Sequence, residues 1–219
     1  DASYLSNSGA VSPLNNGSLA SGAATGIDLG SGIDRVNVTM NRSSLVASDT
    51  GLTLSDAGAG ALGSVSLTGL AGETGTFSGG TSGNLFDLAG WTGSATVTGN
   101  GGTDTLRARD ADKTWNLATN DDNTDVQVPG PDLASGVGGT VGSITFDEIT
   151  DMIGGTGNDT FVIGAGLTAL NSIVDASGTN TIDLRNAAAG QNILLTGLGG
   201  GVGFAGSVGG LVPSFDGIS

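Results

Sequence analysis

Residues 154–162 read GGTGNDTFV, and four weaker copies of that nine-residue pattern recur along the chain. Against the template G-G-x-G-x-D-x-U-x, with U a large apolar residue, this segment matches fully at Gly154, Gly155, Gly157, Asp159 and Phe161. Residues 99–107 match at Gly99, Gly102, Asp104 and Leu106, and residues 29–37 at Gly30, Gly32, Asp34 and Val36. Residues 79–87 keep Gly79, Gly80 and Phe86 with Asn84 in the aspartate place. Residues 175–183 keep Gly178 and Ile182 with Asn180 there. A glycine-rich chain supplies some GxGxD by chance, but a large apolar residue at the same offset each time is harder to obtain that way. A unit this short cannot bury its one large side chain alone. Successive units must stack on one another to make a core.

Between the copies a shorter beat is kept. Val65, Phe77, Phe86, Val97, Leu106 and Trp115 follow one another at nearly even steps. The clusters around them alternate, as in ATVT at 95–98 and WNL at 115–117, which is the pattern of strands with one buried face. The intervening Gly, Asn and Asp accept left-handed backbone at low cost and so make turns. No segment carries a persuasive amphipathic helix; the best candidate, 165–176, is short and flanked by glycine. Two strands per unit give a coil of about 20 residues. The expected fold is therefore all-β, a right-handed parallel β-solenoid (β-helix or β-roll). The expected organisation is a polar leader or irregular first coils over 1–26 and solenoid over 27–117. A protruding loop follows over 118–140, then a second stretch of solenoid over 141–219. The echo of FDEIT (146–150) in FDGIS (215–219) suggests a repeat array cut mid-repeat, the slice of something longer.

Composition removes several classes of function. With 42 glycines but 4 prolines and no three-residue period, the chain is not collagen-like. Its 37% apolar content, gathered in short clusters, argues against disorder. A net charge of −15 disfavours nucleic acid and anionic membrane surfaces, and no apolar run is long enough to span a bilayer. It also makes bound cations attractive as a relief of self-repulsion. With no Cys and no His there is neither a disulfide frame nor a zinc, iron or copper site of the usual kind. A metal here would be a hard cation held by oxygens, Ca²⁺ before Mg²⁺.

The nonapeptide GGTGNDTFV resembles the calcium-binding repeat of the RTX (repeat-in-toxin, haemolysin-type) proteins. The longer runs GGTSGNLFDLAGWTGSATVTGNGGTDTL (79–106) and FDEITDMIGGTGNDTFVIGAG (146–166) resemble the degenerate repeats of very large bacterial surface proteins and adhesins. The likeness covers roughly 27–195 and is strongest at 154–162. It implies secretion or display at the bacterial cell surface, and Ca²⁺ in the turns of a β-roll. Carried over residue by residue, it implies a carboxylate ligand from Asp159, backbone carbonyls from Gly155 and Gly157, and weaker sites at Asp104 and Asp34. One departure matters. RTX ions lie between successive turns, and here the next copy offers Asn180 and an earlier one Asn84. A neutral amide does not offset the charge of Ca²⁺, although Asn forms good ladders along a stack.

Asp121, Asp122 and Asp125 crowd one stretch but match no EF-hand spacing, so a solvated turn explains them. A polysaccharide-active β-helix enzyme would want a base near its substrate. The chain has one Tyr (Tyr4), one Lys (Lys113) and no His, and Asp147 and Glu148 are adjacent on a strand and so face opposite ways. The expectation is no enzymatic activity. Paired threonines such as Thr96/Thr98 do not recur at the coil spacing that ice binding would need, and strand preference explains them. Trp91 and Trp115 suit core filling better than a sugar-stacking platform. The expected function is structural: a stiff rod, as a segment of a surface adhesin or as a filament subunit. Its partner would be itself, end to end or through neighbouring repeats. The alternative is a Ca²⁺-dependent module whose loops grip a glycan or a cell surface.

Overall fold

Short alternating segments of Val, Leu, Ile and Phe form strands in this chain, and the glycine-rich steps between them form turns. The computed structural model describes residues 2–7, 10–15, 26–28, 35–39, 43–56, 60–68, 71–119, 136–167, 170–188 and 190–219. The strands begin with β1 (Ala2–Asn7), β2 (Ala10–Asn15), β3 (Gly26–Asp28), β4 (Arg35–Thr39), β5 (Ser44–Ser48), β6 (Gly51–Asp56) and β7 (Gly60–Thr68). They continue with β8 (Thr74–Ser78), β9 (Leu85–Gly90), β10 (Ser94–Thr98), β11 (Thr105–Arg107), β12 (Thr114–Thr119), β13 (Val137–Val141) and β14 (Ile144–Ile149). The last are β15 (Asp151–Ile153), β16 (Thr160–Ile163), β17 (Ser172–Val174), β18 (Thr181–Asp183), β19 (Ile193–Leu198), β20 (Phe204–Val208) and β21 (Val212–Ile218). The described residues contain no helix, and the all-β expectation holds.

The strands make two mixed sheets that do not close on each other. Sheet one has the order β18-β16-β12-β13-β14-β10-β8-β4-β1-β2, and sheet two β19-β20-β21-β17-β15-β11-β9-β5-β6-β7-β3. The chain passes repeatedly from one sheet to the other. Each return lays a strand parallel to an earlier one, as in β8, β10 and β14 of sheet one and β9, β11, β15 and β17 of sheet two. Asn84 and Asp104 hold equivalent places 20 residues apart, and Asp159 and Asn180 hold equivalent places 21 apart. Antiparallel excursions interrupt this rhythm at β5-β6-β7, β12-β13-β14 and β19-β20-β21. Across the middle excursion, equivalent turn residues such as Asp112 and Asn158 are 46 apart. Of the range expected to protrude, 118–119 end β12 and 137–140 belong to β13, and 120–135 lie outside the described residues.

Alternation decides which side chains go inside. Along β10 the burial alternates residue by residue, with Ala95 and Val97 buried. Parallel registry then stacks like positions. In sheet two Leu45, Phe86, Leu106, Met152, Ile173 and Phe215 stand in successive cross-strand register, and all are buried. In sheet one Phe77, Val97 and Phe146 form one row, and Trp115, Phe161 and Ile182 another. Trp115 stacks on Phe161 with centroids 5.5 Å apart, and Phe77 meets Trp91 edge-on at 5.6 Å. Both tryptophans are therefore core residues. Burying each such side chain contributes about 1.5–3 kcal/mol. The large apolar residue of every recognised copy is one of these core positions: Val36, Phe86, Leu106 and Phe161 are fully buried, and Ile182 packs on the cluster.

FDEIT and FDGIS echo one another in backbone shape but not in place. Phe146 lies in β14 of sheet one and Phe215 in β21 of sheet two. Two residues further on, Glu148 and Gly217 both adopt positive φ, 56° and 80°. The motif encodes a local kink, and its two copies sit in different sheets.

Candidate functional site

The five sequence copies do not line one edge of the structure. The turns at 79–84 and 99–104 carry the chain from sheet one to sheet two, between β8 and β9 and between β10 and β11. The turns at 154–159 and 175–180 carry it back, between β15 and β16 and between β17 and β18. Asp104 and Asp159, equivalent in the motif, therefore stand in different rows of turns. Asp34 lies outside the described residues, as do Asp121, Asp122 and Asp125.

The complete copy forms its turn as follows. Gly155 has φ +110°, a left-handed conformation that favours glycine, and packs against the Asp110 carboxylate. Gly157 leaves no room for a side chain, because a Cβ there would lie 2.2 Å from the Ala111 carbonyl carbon. Its own carbonyl oxygen points along the stack at the Cα of Gly178. Polar side chains stitch this turn to its neighbours. Asn158 donates its backbone N–H to Asp112 Oδ1 at 2.8 Å, and its own Oδ1 accepts the Thr179 N–H at 2.8 Å. Asp159 donates its N–H to Asn180 Oδ1 at 2.9 Å.

The Asp159 side chain is another matter. It is 0% exposed, and neither carboxylate oxygen has a hydrogen-bond partner. Asp175, one turn further on and 2% exposed, turns its Oδ2 toward the same spot, also without a partner. A Cβ built on Gly154 would meet Asp175 Oδ2 at 2.0 Å and Asp159 Oδ2 at 2.9 Å. The first glycine of the motif is thus the floor on which two carboxyls converge. Burial pushes Asp159 up to about 7, and the adjoining Asp175 carboxyl adds to the shift. Burial raises Asp175 as well, against the pull of the Ser177 N–H. Two buried carboxyls in contact need either a shared proton or a cation between them. With both ionised and nothing bound, the pair is costly.

Asp104, in the other row, has one satisfied and one orphaned oxygen. Its Oδ1 accepts the Asn84 N–H at 2.7 Å, and its Oδ2 is buried beside Gly99 without a partner. Burial raises it to about 6. It is a single carboxylate set against the amide-bearing Asn84 turn.

The structure therefore brings Asp159, Gly155 and Gly157 into one turn, places Asp104 elsewhere, and adds Asp175, which sequence reasoning passed over. Asp175 occupies the Gly154 place when the two turns are aligned 21 residues apart, so the spacing contained the signal. As a metal test, the orphaned oxygens of Asp159 and Asp175 suit a hard cation. The carbonyl of Gly157 is directed at the Cα of Gly178 in the next turn. Among the described residues no group of three or more acidic side chains gathers around one point. Comparison with protein-family models, with curated protein sequences and with solved structures found no match.

Proposed function

We propose that this chain is a structural and interaction protein: a right-handed parallel β-solenoid that serves as a stiff rod. It would act as a segment of a bacterial surface adhesin or as the subunit of a filament, secreted or displayed at the cell surface. The observation that carries the reading is the row Leu45, Phe86, Leu106, Met152, Ile173, Phe215, one buried residue per parallel strand at constant register. Each unit contacts mainly its neighbours, so stiffness accumulates along the stack as backbone ladders and stacked apolar residues. Side-chain brackets such as Asn158 and Asn180 lock successive turns in place. Small-angle X-ray scattering on the dispersed chain tests this. A rod-like distance distribution with a long tail supports it, and an isotropic one refutes it.

A second reading is favoured by a specific observation, the orphaned oxygens of Asp159 and Asp175. In it the chain is a Ca²⁺-dependent adhesion module, with the ion held by those carboxylates and the loops gripping a glycan or another cell. A bound cation would cancel the repulsion of the pair and tie two turns together. Circular dichroism with Ca²⁺ and then with excess EGTA separates the readings: a strand signal that collapses on chelation favours the module, and one that persists favours the metal-free rod.

A further inference from the structure

We propose that the chain stacks head to tail with a second copy of itself, β18 and β19 of one copy adding to β2 and β3 of the next. The inference rests on the solenoid reading above and assigns it an interface. Among the described residues four strands have an open edge, β2 and β18 in sheet one and β3 and β19 in sheet two. Their directions follow from the pairings. In sheet one β18, β16 and β12 are parallel, and two antiparallel steps through β13 bring β14 back to the same direction. β14, β10, β8 and β4 are parallel, and two more antiparallel steps through β1 return β2 to it. In sheet two the hairpin β19-β20-β21 and the excursion β5-β6-β7 cancel in the same way, so β3 runs with β19. Each sheet therefore begins and ends on strands of one direction. A second copy in the same orientation therefore meets each sheet through a parallel junction, the kind that joins most of the strands within the chain.

The β18–β19 end is unfinished in its packing. All of β19 is exposed, including Leu194 at 61%, Ile193 at 60% and Leu198 at 82%. A cleft of about 200 Å³ opens between β18 and the hairpin, lined by Ile182, Ile193, Leu195 and Phe204 among others. A long apolar edge strand without charge is a template for pairing with another chain.

Charge selects the same ends. The chain carries −15, yet the edge strands β2 and β19 contain no charged side chain, β3 contributes only Asp28, and Asp183 of β18 is tied to Arg185. Copies brought together there meet without the repulsion that most of the remaining surface would impose. Pro13 removes one donor from β2, which leaves the apolar β19 junction as the stronger of the two. In this junction one end meets the opposite end of the next copy, so the assembly is open and grows as a filament.

The chain has no cysteine, which permits a direct test. Ile27→Cys in β3 and Leu195→Cys in β19 are prepared separately and oxidised alone and mixed. The expected result is a disulfide-linked pair only in the mixture, with elongated species growing with concentration in the wild type. Leu194→Asp with Leu198→Asp, at exposed positions, should raise the concentration needed for association by roughly tenfold or more. Like-with-like cross-links from either variant alone, or an association unmoved by the aspartates, would overturn the proposal. Scattering on the dispersed aspartate variant separates the two levels of failure. A rod that never associates overturns the interface and leaves the solenoid standing, whereas a compact particle overturns both.

Discussion

Asp159 and Asp175 belong to consecutive turns, yet each directs Oδ2 at the Cα of Gly154. The pair is buried, its facing oxygens have no donor, and burial raises both carboxyls. This arrangement fixes how the chain should respond to protons, to cations and to substitution.

In metal-free buffer, stability should fall as pH rises from about 4 to about 7. Asp159 titrates near 7 when folded and near 3.8 when its environment is lost. The folded state therefore holds the extra proton, and the stability this contributes is complete below 3.8 and lost as pH passes through about 7. Asp104, raised to about 6, acts in the same direction. The exposed Asp183, held down to about 2 by Arg185, acts only in more acid solution. Thermal unfolding across this range checks the sign. Asp159→Asn should flatten the profile, and a melting temperature that climbs with pH would contradict the account.

If Ca²⁺ replaces the shared proton, its effect should be largest above pH 7. Stabilisation would then reach about 2.7 kcal/mol at a hundredfold excess over Kd. Asp159→Asn and Asp175→Asn should each remove the response, and Asp104→Asn should leave it. Calorimetric titration of the three variants decides. No heat and no melting shift in the wild type would dismiss the ion.

Gly154→Ala should destabilise the chain by about 1–3 kcal/mol, as overpacking does. The new methyl would overlap Asp175 Oδ2. Adding Asp175→Ala to it should recover part of the loss, which denaturant unfolding of the double variant measures. An additive double variant would mean that the two positions do not touch.

Asn180→Asp would bring the sequence closer to the RTX pattern and should nevertheless weaken the fold. The Asn180 amide donates to the carbonyls of Ser177 at 3.1 Å and Gly217 at 2.9 Å while its Oδ1 accepts from Asp159. A carboxylate keeps the acceptor but loses both donors, leaving two carbonyls facing a buried charge. The expected cost is about 1–3 kcal/mol or more, read as a lower denaturant midpoint. A stabilised Asn180→Asp chain would restore the view that Asn180 is a worn metal ligand.

Phe161→Ala should cost about 3–5 kcal/mol, because it removes the ring stacked on Trp115 from a fully buried row. Phe161→Leu should cost clearly less. Equal losses would mean that the volume at this position is immaterial.

The sequence by itself determined the strand class, the turns and the core. Alternation around Phe86, Val97, Leu106 and Phe161 has a period that only a half-buried strand satisfies, and glycine is what a turn with positive φ accepts. These are short-range constraints, written within a few residues of where they act. Which turns stack on which was decided by tertiary structure. Asp104 and Asp159 share a motif but stand in different rows, because the turn of Asp104 carries the chain from sheet one to sheet two and that of Asp159 carries it back. The meeting of Asp159 with Asp175 likewise depends on a register of 21 residues between two turns. That register is set by the pairing of β15 with β17 and of β16 with β18, where backbone ladders and buried side chains match together, and no nine-residue window contains it.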